Sequence, residues 1–294
     1  MFRNYRIIDM RCRPPYRDFM YSGYPFGLYD DAIARNFAPF NEGHMPRAFY
    51  DRSMDTFMRE MDKAGVEMGV AHYRAAWGDP ANKRPMPDHM DLVELDGKYP
   101  GRFITIAGVS PVYQSLDEIR AIIDKFILEG PLHGIIIEPF ADRPGWYLDD
   151  KERLYPVLEI CREHNLPVMI TFGGRGGVRE PERHIPALKQ CCLDFPEVHF
   201  AACHGGFPMA EVMCHLAYLL PNLWLSPDTY LYNSHVSRTY FDAGRSMLRD
   251  RLCFGSSYPV IPLDYAVHYC AERLPKDVLG NFFYANAASF LNLE

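Results

Sequence analysis

The 294-residue chain contains no apolar run of about 18 residues, so no membrane-spanning helix is expected. It also lacks a basic excess: 31 Lys and Arg face 38 Asp and Glu, for a net charge of −7. An acidic surface argues against nucleic acid or an anionic membrane as the main partner. No Cys-x-x-Cys pair and no Cys-x-x-Cys with a downstream His pair occurs, so the signature of a structural zinc is missing. The eight cysteines are scattered, with Cys191 and Cys192 adjacent and Cys203 and Cys253 in apolar runs. That usage reads as free thiols in a reducing cytoplasm, not as a disulfide framework. The N-terminus, Met1-Phe2-Arg3-Asn4-Tyr5-Arg6, shows no signal-peptide pattern, and neither an internal repeat nor a low-complexity tract is present.

What is present is a rhythm. Short apolar runs at 5–10, 67–72, 103–109, 134–138, 167–171, 198–203, 223–226 and 252–255 alternate with amphipathic stretches. Several runs are continuous, as parallel strands buried on both faces require. Between them, 51–64 carries Phe57, Met58, Met61 and Ala64 at helical spacing; 116–128 carries Ile119, Ile122, Ile123, Phe126 and Ile127; 151–164 carries Leu154, Val157, Leu158 and Cys161. Eight strand–helix units predict an α/β chain, a (β/α)8 TIM barrel spanning 1–294 as one domain. With 48% hydrophobic residues the chain can bury such a core.

Two segments break the rhythm. Residues 14–50 separate the first strand from its helix and are rich in Tyr, Phe, Pro, Gly and Asn. Residues 172–182 contain Gly173-Gly174-Arg175-Gly176-Gly177. Loops after barrel strands lie at the mouth, so 14–50 is expected as a lid, with contacts from among Tyr16, Phe19, Tyr21 and Tyr24. A dimerisation arm is the alternative role.

The strand ends carry the chemistry. Asp9, Arg11 and Arg13 alternate, which predicts all three on the interior side of strand one. A buried guanidinium needs a carboxylate or grips an anionic substrate. Asp9 is the expected partner of Arg11, and Arg13, nearest the mouth, the expected substrate anchor. Glu138 ends the apolar run 134–138 and reads as a general base or as counter-ion to an arginine. His204 follows a strand and precedes Gly205-Gly206; it reads as a proton carrier or as a core histidine. Cys203 alternates to the other face and reads as packing. Asp228 orients His204, caps a turn or binds a substrate hydroxyl. Thr171, Tyr230, Ser257, Tyr258 and His72, the last beside Arg74, are candidate substrate contacts, and Ser257 is equally a cap. A Ser257–His204 dyad lacks a supporting motif.

These motifs carry a resemblance. Asp9-Met10-Arg11-Cys12-Arg13, Met169-Ile170-Thr171, Cys203-His204-Gly205-Gly206, Gly255-Ser256-Ser257-Tyr258-Pro259 and the tail Tyr284-Ala285-Asn286-Ala287-Ala288 resemble the amidohydrolase superfamily. The branch is that of decarboxylases and hydrolases related to aminocarboxymuconate semialdehyde decarboxylase. In that family the first segment reads Asp-x-His-x-His, the second holds a His, the third a His-x-Gly, and the fourth a Gly-[Ser/Thr]-Asp-Tyr-Pro. Here Arg11, Arg13, Thr171 and Ser257 stand at the metal-site positions, and His204 alone is retained. The resemblance therefore implies the barrel and a homodimer, and the substitutions imply no zinc or other divalent cofactor.

The expected function is metal-independent hydrolysis of a small carboxylated lactone, amide or ester. His204 is the acid/base, assisted by Asp228 or Glu138, and Arg13 and Arg11 are anion anchors. A cofactor-free decarboxylase of a small aromatic or unsaturated acid is the alternative, and a non-catalytic binding protein is the opposing class.

Overall fold

The computed structural model describes residues 4–17, 19–21, 30–72, 88–140, 142, 144–174 and 180–293. Seven parallel strands follow one another in chain order: β1 (Ile8–Asp9), β2 (Met68–His72), β3 (Phe103–Gly108), β4 (Ile135–Ile137), β5 (Val168–Thr171), β6 (Phe200–Cys203) and β7 (Leu223–Ser226). The eighth apolar run forms bridges, not a ladder. Cys253 donates its N–H to Leu225 O at 2.8 Å, and Phe254 O accepts from Met10 N–H at 3.0 Å. Arg13 N–H reaches Tyr258 O at 3.0 Å. The run thus joins β7 to β1 and closes the TIM barrel. It cannot extend as a strand because the chain turns at Ser257, where φ is 57°.

The helices are α1 (Asp30–Asn41), α2 (Arg47–Asp51), α3 (Met54–Ala64), α4 (His89–Lys98), α5 (Leu116–Ile123), α6 (Lys151–Glu163), α7 (Pro181–Asp194), α8 (Ala210–Leu219), α9 (Ser237–Arg245), α10 (Leu263–Arg273), α11 (Lys276–Gly280) and α12 (Asn286–Phe290). Local signals set several of their limits. Ser53 caps α3 by accepting the Thr56 N–H, and Ser115 and Glu118 form a reciprocal capping box on α5. The helix of the stretch 51–64 begins only at Met54: Asp51 ends α2, and Arg52, left-handed with φ 53°, separates α2 from α3.

Two apolar cores result. The larger lies between the sheet and the helices, with Phe57, Met61, Ile119, Ile123, Leu154 and Leu158. The smaller fills the barrel: Ile8, Met10, Val70, Ile104, Ile106, Ile136, Met169, Ala201, Cys203, Trp224 and Cys253. Ala287, Ala288, Phe290 and Leu291 join this inner core, and Phe290 O meets Nδ1 of His199, just before β6, at 3.2 Å. The C-terminal helix therefore plugs the end where the strands begin, leaving the opposite end as the mouth. All eight cysteines are free and buried. No helix among the described residues is long and apolar enough to cross a membrane.

The segment 14–50 is not a plain loop. Its described part includes α1, whose end is tied to the mouth side by Asn41 Nδ2 to Val260 O at 2.7 Å and by Asn233 Nδ2 to Phe40 O at 3.1 Å. Phe40 places its edge on Tyr230, with ring centroids 5.7 Å apart. Two of the aromatic residues expected there can be placed. Tyr16 packs by Lys98 of α4, and Phe19 is buried in the outer core. Tyr24, the side chain of Tyr21 and Arg74 lie outside the described residues.

Candidate active site

Alternation along the strands decides what reaches the mouth. Ile136, Met169, Ala201 and Trp224 belong to the inner core, so two residues on, Glu138, Thr171, Cys203 and Ser226 also face inward. The same count from Val70 turns His72 inward, fully buried. On β1 the count corrects the sequence reading. Ile8 and Met10 are the inner residues, so Asp9 between them faces away. Its Oδ1 accepts the N–H groups of Ser256 at 2.8 Å and Arg11 at 3.1 Å, and its Oδ2 accepts the Ser256 hydroxyl. Asp9 clamps the turn after the eighth run to β1; it is not the counter-ion of Arg11. Burial pushes its carboxyl up to about 7 despite the Ser256 hydrogen bonds.

The backbone bends at Met10–Arg11, and this bend turns the Arg11 side chain into the barrel mouth. Its guanidinium lies 3.7 Å from Glu138 Oε1 and 3.9 Å from Asp228 Oδ2, and donates to Thr171 Oγ1 at 3.5 Å. Thr171 in turn donates to Glu138 Oε1 at 2.7 Å. Cys203, against the same guanidinium, also faces inward and not to the outer layer; burial pushes its thiol up to about 11, so it stays protonated. Arg11 is 1% exposed, so its guanidinium is enclosed among these groups.

Above it, His204 Nδ1 lies 2.7 Å from Asp228 Oδ1, and the His204 N–H donates to Asp228 Oδ2 at 3.1 Å. Thr229 N–H and, at 3.4 Å, the Ser257 hydroxyl add to Oδ1. Burial pushes the Asp228 carboxyl up, but His204 and Arg11 outweigh it and hold it near 2. Burial lowers His204, with Arg11 and Arg13 acting in the same direction and Asp228 opposing. The resting pair is thus a carboxylate accepting from Nδ1–H of a neutral imidazole, which leaves Nε2 as the basic atom. Ser257 serves Asp228, not His204, so no Ser257–His204 dyad forms.

His204, Asp228 and Ser257 all have positive φ, at 63°, 43° and 57°. For non-glycine residues this costs roughly 1–3 kcal/mol each and persists where surrounding contacts over-determine it. Two glycines let the chain close in. A Cβ on Gly255 would sit 3.0 Å from Ser226 Oγ and 3.1 Å from Asp228 Cβ. A Cβ on Gly174, where φ is 77°, would meet Tyr230 Oη at 2.9 Å and His204 Cδ2 at 3.2 Å.

Tyr230 stacks on Phe207, with centroids 3.9 Å apart, and sets its ring against His204 at 5.8 Å. Arg13 is 4% exposed and close enough to His204 to depress its basicity. Tyr258 is a correction: its hydroxyl donates to Glu60 Oε2 at 2.7 Å and its ring packs on Phe57, so it faces the helix layer and not the mouth. Sequence reasoning missed Phe207, Phe40 and the close approach of Gly174. Only the glycine cluster at 173–177 hinted at one of them.

Similarities to known proteins bear on the fold. An uncharacterised TIM-barrel protein from Bordetella bronchiseptica shares 26% identity over 98% of this chain and 99% of that one, with a TM-score of 0.84. A 5-carboxyvanillate decarboxylase from Novosphingobium aromaticivorans, complexed with manganese and 4-hydroxy-3-methoxy-5-nitrobenzoic acid, shares 16% over 99% and 97% of the chains, TM-score 0.65. A 2,6-dihydroxybenzoate decarboxylase from Rhizobium shares 14% over 98% and 99%, TM-score 0.63. No curated protein matches the chain. The amidohydrolase family profile matches residues 8–293, nearly the whole length, and the chain therefore belongs to the amidohydrolase family.

Proposed function

We propose that this chain is an enzyme that decarboxylates a small aromatic or unsaturated carboxylic acid, using His204 and Asp228 for proton transfer. The observation that carries the reading is the 2.7 Å contact between His204 Nδ1 and Asp228 Oδ1 at the barrel mouth, which commits one ring nitrogen and leaves the other for substrate. The two decarboxylases of similar fold act on hydroxylated benzoates by their names, which supports the choice of reaction by analogy. In the step, imidazolium Nε2–H gives its proton to the ring carbon that bears the carboxylate. The bond to that carboxylate then breaks, its electron pair returns to the ring, and CO2 leaves. Solvent reprotonates His204. Arg13 supplies a fixed cation for an anionic oxygen of the substrate.

The fold family implies a divalent metal, and the residues here do not fit one. The Arg11 guanidinium lies between the Glu138 and Asp228 carboxylates. A dication there would be repelled by it and find its donors engaged. Among the described residues no three His, Cys, Asp or Glu side chains converge as a ligand set. The proposed chemistry uses no metal step.

A second reading, hydrolysis of a lactone, amide or ester, is favoured by one observation: His204 is lowered, so its resting form is a base suited to activating water. The experiment is a panel of 2- and 4-hydroxybenzoic acids and aryl lactones, with CO2 release and ring opening both monitored. CO2 release supports the first reading and ring opening alone supports the second. Inertness towards the whole panel supports the non-catalytic class.

A further inference from the structure

Arg11 is a full charge enclosed in protein, and such a charge persists only with compensation. Its compensation is unusual in shape. Among the described residues no single carboxylate takes the guanidinium in a close fork. Glu138 Oε1 lies at 3.7 Å from one nitrogen, Asp228 Oδ2 at 3.9 Å from another, and Thr171 Oγ1 at 3.5 Å from a third. Cys203 closes the remaining side. The cation is therefore shared between two carboxylates from different strand ends. One of them, Asp228, fixes both the ring and the backbone of His204. The other, Glu138, is fixed by Thr171.

We propose that Arg11 is the built-in cation of this site: a positioning residue that holds the Glu138 and Asp228 carboxylates together, as a bound divalent ion would, and so keeps Asp228 aimed at His204 without touching substrate. Arginine suits this use. It cannot be deprotonated by burial as a lysine can, and it cannot be lost to a chelator or exchanged. The bend at Met10–Arg11 has a matching purpose, since strict alternation would have kept this side chain off the mouth. The inference rests on the acid–base reading of His204 only for what the cation serves; its geometry is tested without any substrate.

The test is chemical rescue of Arg11→Ala. The variant leaves a guanidinium-shaped space beside two carboxylates. Millimolar guanidinium chloride is titrated into it, with urea, neutral and of similar shape, as the control. Two readouts are followed: the melting temperature, and the downfield proton resonance of the hydrogen-bonded His204 Nδ1–H, identified by its loss in His204→Asn. The proposal expects the resonance to be lost in Arg11→Ala and to return saturably with guanidinium. The melting temperature should rise by about 2–4 °C at tenfold excess over the dissociation constant, while urea does neither. Equal rescue by urea, no rescue by either, or an unaltered resonance in Arg11→Ala overturns it. Should Arg11→Ala fail to fold, Arg11→Lys and Arg11→Met decide, because the two flanking carboxylates keep a lysine there charged. Lysine should keep the resonance and methionine lose it, and equivalence of the two overturns the proposal. None of these outcomes depends on which reaction the enzyme runs.

Discussion

Asp228 holds His204 at two points, taking Nδ1 at 2.7 Å on one carboxylate oxygen and the backbone N–H at 3.1 Å on the other. Ring orientation and turn geometry are thus set by the same side chain, across 24 residues of sequence. Asp228→Asn would present an amide to Nδ1 and favour the wrong tautomer. Turnover should fall by roughly 10²-fold or more, the scale of a lost acid–base group. The fold should hold at reduced stability, since Asn Oδ1 still accepts a backbone N–H and Glu138 still faces Arg11. Steady-state kinetics with circular dichroism checks this, and a variant within threefold of wild type would remove Asp228 from the site.

The lowered pKa of His204 gives a pH test with a definite sign. The ring is neutral at pH 7 and gains its proton only below its ordinary value of about 6.5. If imidazolium is the acid of decarboxylation, kcat should rise as pH falls from 8 towards that range. If neutral imidazole is the base of hydrolysis, kcat/KM should stay flat through pH 7 and drop on the acid side. A pH–rate profile between 5 and 9 separates the two.

Asp9 makes the opposite kind of prediction. Its folded pKa is raised by burial to about 7, against an unfolded value of about 3.9. A raised carboxyl contributes stability that is fully present below the unfolded value and lost as pH rises through the folded one. The loss is on the order of 4 kcal/mol at most. Asp9→Asn should flatten this dependence, because the amide oxygen still accepts from Ser256 and carries no charge to bury. Denaturant midpoints at pH 5 and pH 8 for both proteins measure it. Parallel profiles for the two would show that Asp9 is ionised throughout.

Arg13 and Arg11 should respond differently to the same change. Arg13→Met is expected to raise KM several-fold with little change in melting temperature. Arg11→Met removes one partner from a buried charge cluster and should cost about 3–5 kcal/mol. Calorimetry on the two variants, with KM for the first, distinguishes a substrate anchor from an internal ion. A collapse of Arg13→Met would reverse the roles.

The barrel was legible in the sequence because burial on both faces leaves continuous apolar runs, and seven of them, such as Ile135-Ile136-Ile137, became strands. The candidate positions were legible residue by residue, since His204, Asp228, Glu138, Thr171 and Ser257 all stand at strand ends, the face where barrels place function. Which residues meet was less so. Alternation predicts orientation only while the strand continues, and β1 stops at Asp9. That is why Asp9 and Arg11 part company. The same failure occurs at Tyr258, where the left-handed turn at Ser257 swings the ring towards Glu60. Phe207 and Phe40 carried no sequence signal, because their contact with Tyr230 joins segments far apart in the chain.

In the proposed chemistry His204 moves the proton, and Arg11 stands where a metal would. The most direct measurement is turnover of whichever acid or lactone of the panel reacts, by wild type and His204→Asn, each after exhaustive chelation and again with added Mn2+. Wild-type rates should be unchanged by chelator or metal, with a loss of roughly 10²-fold or more in His204→Asn under both conditions. Activity abolished by chelation and restored by Mn2+, or near-full activity in His204→Asn, would contradict it.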